Sequence, residues 1–249
     1  MDNAIYVGLS RQITLQRELD IAANNVANTD TAGFKLEDLL TAADPAAPAK
    51  TTGVNGPVTF VVADGVSRDF RQGALRQTGE PLDFAIDGQG FFIVSTASGP
   101  RYTRDGRFKL DPQGKLTTQD GDAVQGSGGD IVLDPNKGQV SVSATGVISQ
   151  GIGTTSQVVG QLSVVTFDDL SALQKDGNNL FENTSNLTAH TASNALIKQG
   201  MLEGSNVNAL LQMTRLVAVS RAYDAVSNMM NSTADLSTRT IQRLGAPTP

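Results

Sequence analysis

From Val207 to Leu244 the chain carries neither glycine nor proline, its longest such stretch, and no other feature narrows the fold as much. A run of that length without a breaker predicts a long helix. Ser205 and Asn206 offer side-chain oxygens as its N-cap. Leu216, Val219, Tyr223, Val226 and Met230 recur at spacings of 3, 4, 3 and 4, the heptad seam of a coiled coil. Gly245, Ala246 and Pro247 mark its end.

A second helical pattern lies at the opposite end of the chain. Residues 4–28 hold no proline and one glycine, Gly8, with Leu15, Leu19, Ala22 and Val26 at spacings of 4, 3 and 4. Asn28, Thr29, Asp30, Thr31, Ala32 and Gly33 then favour a turn, with Gly33 free to take a positive φ. Ala22, Ala23, Ala27, Ala218 and Ala222 are small enough for the two helices to approach each other closely, and for further helices to approach them.

Between the two patterns the texture changes. Asp44 to Pro57 holds three prolines and two glycines, which excludes regular helix or a central strand and predicts a linker or surface loop. From Val58 to Ile197 short apolar runs such as Phe91–Val94 and Leu162–Phe167 alternate with Gly, Asp, Asn and Pro, the pattern of an antiparallel β domain. The predicted fold class is α+β: N- and C-terminal helices forming a coiled-coil-like stalk, with a central, mainly antiparallel β domain. The expected divisions are helix and turn at 1–35, an extended connector at 36–72, the β domain at 73–198 and the C-terminal helix at 199–249.

Composition narrows the function. A net charge of −6 without any Lys/Arg cluster excludes nucleic acid as a partner. The chain has no cysteine, which removes disulfides, thiolate catalysis and thiolate-bound metals. The one histidine, His190, would need a chance neighbour to join a Ser/His/Asp triad, and it reads as a surface residue. Gly88-Gln89-Gly90 lacks the third glycine and following helix of a dinucleotide loop. Asp111-Pro112-Gln113-Gly114 and Asp120-Gly121-Asp122 lack the ligand spacing of a calcium loop. The pairs Asp168/Asp169 and Asp120/Asp122 read as solvated turn acids rather than glycosidase carboxylates. No catalytic residue, cofactor, metal site or small-molecule substrate is expected. The opening MDNAIYVGLSRQ also lacks the basic flank and unbroken apolar stretch of a cleavable secretory signal.

Three segments carry a resemblance. Ala22-Ala23-Asn24-Asn25-Val26-Ala27-Asn28 is followed by Thr31-Ala32-Gly33-Phe34-Lys35. Gly73-Ala74-Leu75-Arg76-Gln77-Thr78-Gly79 leads through Leu82-Asp83-Phe84-Ala85-Ile86-Asp87-Gly88-Gln89-Gly90-Phe91-Phe92 to Tyr102-Thr103-Arg104-Asp105-Gly106. Gln199-Gly200-Met201-Leu202-Glu203-Gly204-Ser205-Asn206-Val207-Asn208 precedes Arg221-Ala222-Tyr223-Asp224-Ala225. In content and order these resemble the signatures of the flagellar rod and hook proteins, with Asp224 where the family often has Glu. The opening dozen residues and the chain length are most similar to the proximal rod members, with distal rod members the near alternative.

The resemblance implies a structural subunit of the basal-body rod. Its partners would be copies of itself, proximal and distal rod proteins, and the flagellar type III export apparatus; it would cross the inner membrane unfolded and assemble in the periplasm. Terminal helices of successive subunits would form an inner tube and the β domain an outer layer. The subunit-interface residues it points to are Leu15, Leu19, Asn24, Asn25, Val26, Asn28, Gly33, Phe34, Ser205, Asn206, Val207, Leu216, Val219, Tyr223, Val226 and Met230. Asn28 is read as a cap, and Asn24 or Asn25 as a contact. Phe34 is either an anchor into a neighbour or core in its own subunit. Of Phe91 and Phe92, one should fill the β core and the other face outwards. Tyr102, Arg104 and Asp105 read as a charged hairpin edge that blocks strand addition. Two other classes stand beside this one: a secreted adhesin or sugar-binding β domain on a helical stalk, and a peptidoglycan-cleaving enzyme.

Overall fold

The computed structural model describes residues 2–49, 58–152 and 155–245. The chain divides into two compact units, one of residues 1–27, 37–68 and 208–249, the other of 28–36 and 69–207. The first holds the two α-helices of the described residues, α1 (Asp2–Ala27) and α2 (Ala209–Gly245), and a two-stranded sheet of β1 (Leu36–Ala49) and β2 (Val58–Asp69). The predicted loop at 44–57 is therefore strand as far as Ala49. Proline is tolerated there because neither strand of a two-stranded sheet is central, so a missing N–H need not break a ladder. Residues 50–57, and Ala246 and Pro247 of the expected helix stop, lie outside the described residues.

The coiled-coil stalk is overturned. Among the described side chains of α1 the buried positions are Gly8, Thr14, Leu15, Ala22 and Asn25, of which Leu15 alone is a large apolar side chain. Such a face has no row of knobs to set into holes on α2. On α2, Gln212 and Val219 are buried, while Leu216, Tyr223, Val226 and Met230 are only partly covered. Close approach replaces the seam: a Cβ on Gly8 would lie 2.9 Å from Cγ of Met230. Polar groups then tie the helices to β1. Asn25 donates from Nδ2 to the Glu37 carbonyl (2.7 Å) and accepts from the Glu37 N–H (3.0 Å). Arg215 on α2 pairs with Glu18 on α1 (3.1 Å) and with the Asp38 carboxylate. The helices are thus two members of a four-element unit, a helix pair plus a two-stranded sheet.

The second unit is antiparallel β, as its sequence texture predicts. Strand β5 (Phe91–Thr96) pairs with β6 (Gly99–Thr103) on one edge, and with Val164–Thr166 and Ala123–Gly126 on the other. A separate three-stranded sheet is formed by Gln139–Val142, Val147–Ile152 and Thr155–Gln161. The end of the unit returns to its beginning: Leu196–Gln199 pairs with β4 (Phe84–Asp87), and Met201–Glu203 with β3 (Leu75–Gln77).

Phe91 and Phe92 do point to opposite faces, yet both are buried, at 2% and 0% exposure. The sheet has a core on each side. Phe92 joins Phe84, Ile86, Val94, Leu116 and Ile148; Phe91 joins Tyr102, Val165, Phe167 and Phe181. Tyr102 meets Phe167 edge-on at 4.8 Å between ring centroids, a favoured aromatic geometry. Tyr102 and Arg104 are therefore interior residues rather than the charged edge that their polarity suggested.

Candidate functional site

Charged residues from three sequence motifs meet inside the β unit. Lys35, at the end of the Gly33-Phe34-Lys35 turn, places Nζ 2.5 Å from Oε1 of Glu203. Arg104 places Nη1 2.9 Å from Oε2 of the same carboxylate. The side chains of Lys35, Arg104 and Glu203 are 1%, 4% and 0% exposed. The Gly73 N–H completes the ring by donating to Glu203 Oε1 at 3.0 Å. Lys35 also donates to the Arg71 carbonyl (2.8 Å) and Arg104 to the Gly88 carbonyl (2.7 Å). Burial lowers the pKa of Lys35, and Arg104 lowers it further, while attraction and hydrogen bonding to Glu203 draw it back up. Burial likewise lowers that of Arg104, opposed by Glu203.

The backbone around this node leaves no space for side chains. Gly33 sits at φ 70°, and a Cβ there would lie 2.5 Å from the Arg104 carbonyl carbon. At Gly73 a Cβ would fall on the carbonyl oxygen of Gly204. The Gly33 N–H donates to the Glu203 carbonyl at 2.8 Å, so residue 203 holds the turn through both its side chain and its backbone. Phe34 is 2% exposed within its own unit, and Lys175 Nζ stands 4.4 Å from its ring centroid.

Asn206 and Ser205 have tasks other than the expected helix cap. Asn206 Oδ1 accepts from the Leu36 N–H (2.8 Å), and its Nδ2 donates to the Asp69 carbonyl (2.7 Å). Ser205 Oγ accepts from the Val207 N–H at 3.2 Å. Asn208 caps α2 instead, its Oδ1 accepting from the Leu211 N–H at 3.1 Å. Asn28, at the end of α1, accepts from the Thr31 hydroxyl at 3.1 Å.

Among the residues expected at subunit contacts, Leu15, Asn25, Gly33, Phe34, Val207 and Val219 are buried within the chain. Leu19, Val26, Asn28, Ser205, Asn206, Leu216, Tyr223, Val226 and Met230 are partly covered, and Asn24 is exposed. Sequence reasoning passed over another set. Tyr6, Leu9 and Ile13 on α1 are 59%, 43% and 50% exposed, and Leu210, Met213 and Val217 on α2 are 77%, 52% and 49% exposed. Each trio falls at i, i+3 and i+7, one helical face. The signal is present in the sequence as a second apolar stripe beside the heptad positions.

Five hydroxyls on α2 are satisfied within the helix. Thr214, Ser232, Thr233, Thr238 and Thr240 each donate to the carbonyl four residues back, at 2.9, 2.9, 2.8, 3.0 and 2.7 Å. His190 lies 3.4 Å from Asp168, with both side chains largely exposed. Asp169 caps a short 3₁₀ turn by accepting from the Ser171 N–H. Asp111 Oδ1 accepts from the N–H groups of Gln113 and Lys115, holding a turn.

Three family descriptions match the chain: "Flagella basal body rod protein" at residues 5–35, "Flagellar hook protein FlgE/F/G D1 domain" at 85–150 and "Flagellar basal body rod FlgEFG protein C-terminal" at 198–243. The chain belongs to the flagellar basal-body rod protein family. Within that family it is 50% identical to the basal-body rod protein FlgF of Caulobacter vibrioides, over 98% of this chain and 99% of that protein. FlgF of Mesorhizobium japonicum is 35% identical over 99% of each chain. The rod protein FlgG of the same Caulobacter is 31% identical over 93% of this chain and 95% of that protein.

Proposed function

We propose that this chain is a structural subunit of the flagellar rod, of the FlgF type and in its proximal part, which polymerises through faces of its two terminal helices. The observation that carries this reading is the pair of exposed apolar faces, Tyr6/Leu9/Ile13 and Leu210/Met213/Val217, beside helix faces already covered within the chain. Contiguous exposed apolar surface on a helix marks a place where another chain binds. The greater identity to FlgF than to FlgG of one bacterium supports the proximal position.

The role is mechanical rather than catalytic. Two different faces on each subunit give heterologous contacts, which repeat into an open helical array. Its partners are copies of itself, neighbouring proximal and distal rod proteins, and the flagellar type III export apparatus. The chain is exported by that apparatus and acts in the periplasmic part of the basal body. The interface includes the partly covered residues Leu216, Tyr223, Val226 and Met230 of α2, together with Leu19, Asn24 and Val26 on α1 and Asn28 just after it.

Deletion of the gene tests this directly. Basal bodies isolated from the mutant are expected to lack the rod beyond the inner-membrane ring, with swimming lost. Complete rods and normal motility would overturn the assignment and bring forward a secreted binding domain, for which glycan-array hits would be the sign.

A further inference from the structure

The buried node is unequal in charge. Two cations, Lys35 and Arg104, face one carboxylate, Glu203. The remaining groups close to them are the carbonyls of Arg71, Ile86 and Gly88, the Gly73 N–H and the ring of Phe91, whose centroid is 5.5 Å from the Arg104 guanidinium carbon. Asp69 adds a weaker attraction to Lys35. Arg104 Nε has no hydrogen-bond partner among the described residues. Burying a cation is tolerable only beside a well-placed opposite charge, so this arrangement depends on a single carboxylate.

The order along the chain is equally uneven. Both cations come from the first half of the sequence, while Glu203 arrives near its end, on the segment whose strands pair with β3 and β4. Until that segment docks, closing the turn at 28–36 over Arg104 would bury two like charges with nothing between them. The β5–β6 pairing and the core on the Phe91 side have no such requirement, since their residues lie within 70–187, whereas the core on the Phe92 side takes in Ile197 from the C-terminal segment.

We propose that Glu203 is a closing latch: the 28–36 turn and strands β3 and β4 stay open until the C-terminal segment delivers the one carboxylate that neutralises Lys35 and Arg104. A chain synthesised from its N-terminus is thereby kept from completing its β unit until its last fifth exists. The β5–β6 sheet forms first and the latch seals it. The device acts through charge, and this separates it from an ordinary set of hydrogen bonds.

Hydrogen exchange on the purified full-length chain tests the latch. Glu203→Gln keeps the shape and removes the charge. It is expected to speed exchange on the order of tenfold or more at residues 28–36, 73–87 and 199–207, with residues 91–103 changed much less. The deciding variant is the triple Lys35→Met, Arg104→Met, Glu203→Gln, which retains fewer native groups yet buries no charge. The triple should exchange more slowly than the single variant at those segments, or fold where the single does not. A triple variant as open as the single, or more so, would overturn the latch. So would a single variant with parental exchange.

Discussion

The two units of this chain finish their folding to different degrees. The β unit covers both faces of its sheet, with Phe84, Phe92, Leu116 and Ile148 on one side and Phe91, Phe167 and Phe181 on the other, all at or below 5% exposure. The helical unit buries Leu15, Ala22 and Val219 with the polar Thr14, Asn25 and Gln212, and leaves Tyr6, Leu9, Ile13, Leu210, Leu211, Met213, Val217, Met229 and Leu236 in water. The β unit has a core on each face of its sheet, with Val132, Val158, Val159 and Leu196 left exposed elsewhere. The helical unit has a thinner one, and the difference bears on the proposed assembly: apolar area left uncovered by a subunit is area that its neighbours can cover.

The sharpest way to break this contrast is to strike the core of the β unit. Removing one partner of a buried ion pair costs about 3–5 kcal/mol, so Glu203→Ala should lower the urea midpoint of the β unit more than any other single change. Phe34→Ala, at a ring 2% exposed, should cost about 3–5 kcal/mol by the same measurement. A Phe34→Ala protein of parental stability would show the ring to be superfluous to its own subunit.

Asn25→Ala should cost less, about 1–3 kcal/mol, because the N–H and carbonyl of Glu37 lose a partner that bonds both. The loss should appear in the helical unit, as faster exchange of α1 and α2 amides. In the parent monomer those helices should already exchange faster than β5 and β6, since a thinly covered helix pair opens locally at lower free energy. Strong protection of residues 5–28 and 207–240 before assembly would contradict the idea of a thinner core. The smallest effect on stability belongs to the exposed faces. Leu210→Ser and Met213→Ser should change monomer stability by no more than about 0.5 kcal/mol while reducing swimming and the yield of rods. Equal motility would move the subunit contact elsewhere.

How much of this was legible in the sequence follows the same division. Both helices, the β texture and the turn at Gly33 are local matters of breakers and periodicity, and they were read correctly. The coiled-coil stalk was not, because heptad spacing on α2 says nothing about its partner: α1 answers with Gly8, Ala22 and Asn25 rather than a second row of large side chains. Arg104 was misread for a related reason. Charge at a hairpin end signals solvent unless a counter-charge is brought in from far away, and Glu203 lies 99 residues along the chain. Asn206 reads as a cap because it precedes the helix, but the hydrogen bonds it makes run to Leu36, Asp69 and Arg71, which sequence adjacency cannot reveal. The exposed faces were visible as apolar spacing but were outranked by a tidier pattern.

The hydroxyls of α2 have a consequence for what this helix can touch. Each of Thr214, Ser232, Thr233, Thr238 and Thr240 already donates its hydrogen bond to its own backbone. Covering them with protein therefore strands no donor and demands no matching acceptor in fixed register. These five positions are chemically undemanding, able to lie against unlike neighbours, which suits the proposed rod subunit.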